Sequence, residues 1–276
     1  MQAIRTGVLA LALVMVLSAC TMSWQDVKTG WGKIDPTLRE PTLAEILELT
    51  QTTLKKEAGW TYKVKRQEKL TRKQQQTVSQ YEAKISVTSD PYAMRSQGTI
   101  TSKGKSESEQ LVMIGDKGYL KIGNAPWKAS TPAEMRTNVE DPTQALIELT
   151  TAVKQKSATF RMVETNGFFR VTAELPPGRA AGILGTNARA ELEPSLAQLR
   201  GWGIRVNPAN IRLKSYKREV HIDSKTHVLH AVLTQFSFEI PTPTGTVTFQ
   251  QTQTAEVSGV FKEKITLPIE LRPKAK

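Results

Sequence analysis

Three histidines, His221, His227 and His230, lie within ten residues of one another, and Asp223 sits among them. Imidazole nitrogens and a carboxylate are the side chains that hold zinc and similar ions. His221 and Asp223 are two apart, so on a strand they share a face, and His227 follows just past a turn. A metal would need these groups to meet across a hairpin, and the spacing fixes no third strong ligand. The cluster therefore reads as solvated hairpin residues, and no metal site is expected. The chain has no Gly-x-Ser-x-Gly and no His-Glu-x-x-His. Gly178-x-x-x-Gly182 lies outside any apolar span, so it is no membrane dimerisation signal. No catalytic residue is expected, and the chain reads as a non-enzyme.

One side chain does have chemistry assigned to it by its surroundings. Cys20 is the only cysteine among 276 residues. It ends the run Leu17-Ser18-Ala19-Cys20, which follows an apolar stretch, Val8 to Leu17, and a start whose one charge is Arg5. A short basic start, an apolar middle and small residues at the cut are the parts of a secretory signal. Ten apolar residues fall short of the ~20 that span a bilayer. Leu-Ser-Ala-Cys resembles the bacterial lipobox, in which a lipid joins the cysteine sulfur and the chain is cut just before it. Residues 1–19 are then a lipoprotein signal peptide and residues 20–40 a lipidated tether. A single thiol so used leaves no intrachain disulfide, and the fold must rest on its core. No cofactor is expected beyond covalent diacylglycerol, with or without an N-acyl chain, on Cys20. Each buried methylene adds about 0.8 kcal/mol of membrane affinity, so two or three chains hold firmly. The expected location is the bacterial membrane or envelope, on the extracytoplasmic side.

The formal charge is +12. A basic balance suits nucleic acid, acidic polymers or anionic lipid. An extracytoplasmic chain leaves the last two, and nucleic acid is not expected as a partner. Trp24 and Trp31 in the tether suit a headgroup layer or the domain surface equally.

Residues 41–276 read as one domain, since no Pro/Gly/Ser-rich linker interrupts 41–260. Pro41 to Lys56 reads as a helix, with Pro41 in its first turn and Leu43, Ile46, Leu47, Thr50 and Leu54 on one face. Strands follow at Thr61 to Leu70, Gln74 to Thr88, Tyr92 to Ser102, Glu107 to Gly115 and Gly118 to Ile122. The turns between them are Asp90-Pro91, Lys103-Gly104-Lys105 and Asp116-Lys117-Gly118. Such closely joined strands predict an antiparallel meander with one wet face. The charged run Lys63 to Lys73 fits an extension of the helix as an alternative. Asp141-Pro142 opens a second helix to about Lys154, with Leu146, Leu149, Thr150 and Val153 inward. A hairpin about Asn166-Gly167 joins Ala158 to Glu164 with Phe168 to Leu175. Residues 179–200 look mainly helical, with Ile183 and Leu184 in the apolar set. Three strands end the domain, at Ile211 to Ile222, Val228 to Ile240 and Thr244 to Val257, before an irregular tail. The strand groups on either side of the helices fit one continuous curved sheet or two.

The order of parts resembles the bacterial lipoproteins of the LppX/LprG group, which share a fold with the LolA and LolB sorting proteins. The resemblance is carried by the lipobox, the helix followed by a meander, Gly115-Asp116-Lys117-Gly118-Tyr119-Leu120-Lys121 with Trp127-Lys128, and the Asp141-Pro142 helix with its hairpin. It spans most of the chain after Cys20. It implies an α+β fold: an antiparallel sheet curved into an unclosed barrel, with helices covering the concave face. It further implies acyl chains held between sheet and helices. The lining candidates are Leu43, Ile46, Leu47, Leu146, Leu149, Ile183 and Leu184. Two features depart from the group, the long 179–200 region and the dense surface charge. The implied partners are the membrane, through the anchor, and a lipid ligand. The competing function is an envelope sensor or scaffold that binds a membrane protein through Lys63, Lys65, Arg66, Lys69, Arg72 and Lys73.

Overall fold

Two-residue turns set the register of this protein. At Asn166-Gly167 both residues have positive φ, 51° and 78°, the backbone that matches the twist of a tight hairpin. Lys103-Gly104 repeats it at 51° and 74°. The computed structural model describes residues 40–130, 142–179, 196, 200, 205–243 and 245–271. Cys20, the tether, and Ile183 and Leu184 lie outside these residues, as does most of the region read as helical at 179–200.

The described strands are β1 (Gly59–Arg72), β2 (Gln75–Ser89), β3 (Tyr92–Ser102), β4 (Lys105–Ile114), β5 (Lys117–Ile122), β6 (Lys128–Ser130), β7 (Thr159–Thr165), β8 (Phe168–Leu175), β9 (Gly178–Arg179), β10 (Arg212–Asp223), β11 (Leu229–Thr242) and β12 (Gly245–Val260). Two helices accompany them, α1 (Leu43–Lys55) and α2 (Pro142–Gln155). The run Lys63 to Arg72 is strand, paired on both sides, with Lys73 in the turn that follows, and it is not an extension of α1.

All twelve strands belong to one antiparallel sheet, in the order β6-β5-β4-β3-β2-β1-β12-β11-β10-β8-β7, with β9 pairing β10 off this path. Of the two arrangements open to the strand groups, the single continuous sheet is the one formed. Each group is a meander, and the two are sewn together where β1 meets β12, from Trp60 opposite Val260 to Arg72 opposite Val247. The edge strands β6 and β7 do not pair, so the barrel is unclosed. The fold is α+β.

Cross-strand register puts Leu70, Phe249, Phe238 and Leu213 on the same face as Tyr62, Val64, Ile85, Ala255 and Val232. This is the inner face. α1 lays Ile46, Leu47, Thr50 and Leu54 inward, and α2 lays Ala145, Leu146, Leu149 and Thr150 inward. Both threonines return their hydroxyls to the carbonyl four residues back, Ile46 and Leu146, so neither hydroxyl is stranded against the sheet. Glu45 in the first turn and Lys55 in the last suit the dipole of α1.

The tail is irregular, as it reads, apart from a 3-10 turn at Ile269–Leu271, yet it is packed. From Phe261 it crosses the outer face as a strap, pinned by the Phe261 N–H donating to the Gly59 carbonyl at 2.8 Å. Phe261 and Ile265 pack with Ala93 and Val112 beneath Trp127 and Leu267.

Candidate functional site

The inner face holds two apolar pools. The larger joins α1 and α2 to β1–β4, β8 and β10–β12, through Ile46, Leu47, Leu146, Leu149, Tyr62, Ile85, Leu111 and Val220. The smaller lies toward the other end of the central strands, with Leu70, Leu213, Phe236, Phe238, Ile240, Val247 and Phe249. Of the expected lining residues, Ile46, Leu47 and Leu146 have no exposed surface and Leu149 is 3% exposed. Leu43 is half-buried against the same pool. The structure therefore brings five of the seven together, between the helix pair and the sheet.

Between the pools runs a polar belt that hydrophobic patterning did not reveal. On β1 it has Arg66 and Glu68, on β12 Gln251 and Gln253, on β11 Thr234 and on β10 Arg218. Register places all of them on the inner face. Arg66 pairs with Glu68 at 3.1 Å and lies 5.2 Å from the Tyr81 ring centre. The Tyr81 hydroxyl is 3.0 Å from Ser96 Oγ. Gly98 makes room for that ring, because a Cβ there would lie 3.1 Å from a Tyr81 ring carbon and 2.7 Å from Ala83 Cβ. Glu109 on β4 completes this end. It is 4% exposed, and its Oε1 has no hydrogen-bond partner among the described residues. Burial raises the Glu109 carboxyl above the usual carboxylate range, against the lowering effects of a Tyr81 hydrogen bond and the Arg66 charge. Burial, with the Glu109 charge added, likewise raises the Tyr81 phenol.

At the other end Arg218 is 4% exposed. Its Nη1 donates to Glu148 of α2 at 2.9 Å and its Nε to Thr234 at 3.3 Å. This ion pair ties α2 to the sheet. Further polar contacts hold the helix pair, among them the exposed ion pair of Lys154 on α2 with Glu48 on α1 at 3.0 Å. Trp60 Nε1 donates to the Leu54 carbonyl at 3.0 Å, the Tyr62 and Thr143 hydroxyls meet at 3.2 Å, and Gln51 of α1 donates to Thr150 of α2. Belt residues escaped notice because strand alternation marks which side chains point inward, not how far along the strand the apolar character lasts. The one usable signal was Arg66 and Glu68, charges on the face of Val64 and Leu70.

The histidine cluster forms no metal centre among the described residues. His221 Nε2 is 2.7 Å from Glu219, which also meets Arg170 at 3.2 Å and Lys217 at 3.5 Å on the outer face. Burial pushes the Glu219 carboxyl up, but the His221 hydrogen bond and the charges of His221, Arg170 and Lys217 outweigh it and hold it below the usual range. Asp223 turns to its own hairpin, accepting from the N–H groups of Thr226 and Lys225 and the Thr226 hydroxyl. His227 and His230 lie against Phe169 and Phe168. The basic run also divides. Lys63 and Lys65 are exposed on the outer face, whereas Arg66 points inward, and Lys73 sits in the β1–β2 turn at φ 53°.

No family model and no curated protein sequence matches the chain. Among solved structures it is similar to one described as lipid–protein interactions in lipovitellin, with 7% identity and a TM-score of 0.32. That match covers 76% of this chain and only 26% of the other, so the chain spans about a quarter of its length. A beta-barrel-like protein of the DUF1849 domain family from Brucella abortus aligns at 6% identity and TM-score 0.25, over 73% of this chain and 98% of that one. A DUF1329 family protein from Desulfovibrio piger aligns at 8% and 0.26, over 77% and 92%.

Proposed function

We propose that this chain is a lipid-anchored, non-enzymatic protein of the bacterial envelope that holds acyl chains between its helix pair and the inner face of its sheet. The observation that carries the reading is the roof. Two amphipathic helices lie on an open sheet through apolar stripes, and the described polar ties to the sheet are few and local. Such a layer can exchange one hydrocarbon surface for another, because the contacts are non-directional and scale with area. The belt suits the reading as well. An amphiphile needs apolar wall for its tail and a small number of polar groups to orient its head, the usual make-up of a small-molecule pocket. The lipobox at Cys20 and the resemblance to the LppX/LprG and LolA/LolB proteins point the same way. The scaffold alternative loses support, since its basic residues do not share one face.

The test is native mass spectrometry of the full-length protein in mild detergent, with solvent extraction of the same sample. Co-purified lipid, displaced by a fluorescent fatty acid in competition, is the expected result. Lipid-free protein that takes up no fatty acid would sink the reading.

A further inference from the structure

The outer face carries a second site that the acyl-binding reading does not use. Where the strap leaves β12, a cleft of about 430 Å³ opens between it and the sheet, lined by Thr61, Lys84, Ser86, Arg95, Gln97 and residues 260–263. Its charged groups are Lys84, Arg95, Lys262 and Glu263. Lys84 and Lys262 are exposed and have no ion-pair partner among the described residues. Arg95 is the best placed of the three. Its guanidinium lies 5.8 Å from the Phe261 ring centre, and its one recorded carboxylate contact, to Glu263, is long at 3.8 Å. The floor is polar. Thr61 Oγ1 and Ser86 Oγ are both buried and 3.3 Å apart, so one hydroxyl proton serves the pair and the other remains to be offered. A neighbouring cleft of about 260 Å³ shares Arg95 and Gln97 and includes Trp127, whose Nε1 has no acceptor among the described residues.

Three cationic side chains thus line this cleft against one carboxylate, Glu263, whose contact with Arg95 an incoming anion would displace. We infer that the outer-face cleft under the strap binds a phosphoryl group, with Arg95, Lys84 and Lys262 on its oxygens and the Thr61–Ser86 pair beneath. A planar guanidinium flanked by point-charge ammonium groups is the arrangement that compact oxyanions select. The volume exceeds that of a lone phosphate, so the group is carried on something larger, or doubled as pyrophosphate. A soluble phosphate compound and the headgroup of an anionic lipid share this chemistry.

The full-length protein, purified in a non-ionic detergent, is titrated with pyrophosphate by calorimetry. It is then reconstituted separately into vesicles of phosphatidylglycerol or of phosphatidylcholine. Because the acyl anchor would hold it to both, headgroup binding is read as protection of the cleft lysines, or of the one remaining in a variant, from an amine-reactive reagent. Lys84→Gln and Lys262→Gln each weaken the competent ligand about tenfold, as loss of one charge-assisted contact should. Lys105→Gln, the same charge change on the β3–β4 hairpin, leaves it unchanged. Pyrophosphate binding alone assigns the site to a soluble ligand, and phosphatidylglycerol-selective binding sensitive to Lys84→Gln but not Lys105→Gln assigns it to a headgroup. Binding of neither, or binding that all three variants weaken alike, overturns the proposal. Melting temperatures of the unliganded variants should match the parent, since neither lysine supports the fold. Because the cleft lies on the opposite face from the helix roof, its failure leaves the acyl reading standing, and the converse holds.

Discussion

Glu109 and Gly98 show how much rests on single inner-face positions. A carboxylate buried without a partner for one oxygen favours its neutral form, so its raised pKa is a stability statement. Below the ordinary carboxylate value of about 4.3 both folded and unfolded chains hold the proton, and there is no penalty. As pH rises from there through the raised folded value, the unfolded chain ionises first and folding weakens. Glu109→Gln should therefore raise the melting temperature at pH 7, by about 2–4 °C for each kcal/mol recovered in a domain of this size, with the gain vanishing below pH 4. An unchanged difference across that range in a thermal melt series would contradict the account. Gly98→Val tests the ring above it. The added carbon lies 2.6 Å from the Glu82 carbonyl oxygen and 2.7 Å from Ala83 Cβ, so backbone and ring must both move. A loss of about 1–3 kcal/mol in a denaturant titration is expected for such overpacking.

Elements were far easier to read than the belt between them. Alternation in Tyr81, Ala83, Ile85 and Val87, punctuated by Asn-Gly and Lys-Gly turns, placed most strand ends within two residues. The helix stripes were equally plain, because Ile46, Leu47 and Leu54 follow a 3.6 period and nothing else explains them. β6 and β9 were missed, being three and two residues long, too short for periodicity to register. Where the irregular tail is seated was illegible, because its packing is set by tertiary contacts of isolated residues, Phe261 and Ile265, with no period at all. How α2 is tied down was also illegible, since Glu148 and Arg218 are 70 residues apart. That tie gives a test at this scale. Glu148→Ala leaves a buried guanidinium short of an acceptor and should cost about 1–3 kcal/mol by chemical denaturation. Glu148→Gln, which keeps a carbonyl oxygen in reach, should lose less. If acyl exchange requires α2 to lift, the alanine variant should also take up fluorescent fatty acid faster in stopped flow.

At the scale of the whole molecule, the proposed anchor can be tested apart from the domain. On the proposed reading Cys20→Ser removes the sulfur that carries the acyl chains, so cells fed labelled palmitate should label the parent protein and not this variant. The chain should then keep residues 1–19, visible as a mass increase. Incorporation that persists in this variant would remove the lipobox from the argument.

The seam between β1 and β12 has a consequence for when the protein can fold. Residues near 60 wait for residues near 260, so the centre of the sheet cannot close until almost the entire polypeptide has emerged. On the proposed extracytoplasmic reading, a chain threaded through an export channel would therefore meet little resistance from premature folding. Loop-closure cost and long sequence separation both delay such pairing. A product truncated after Thr242 would retain two half-sheets, each with a bare central edge, and edges of that length recruit other chains. Cell fractionation should find it in inclusion bodies, where the full-length chain should not collect.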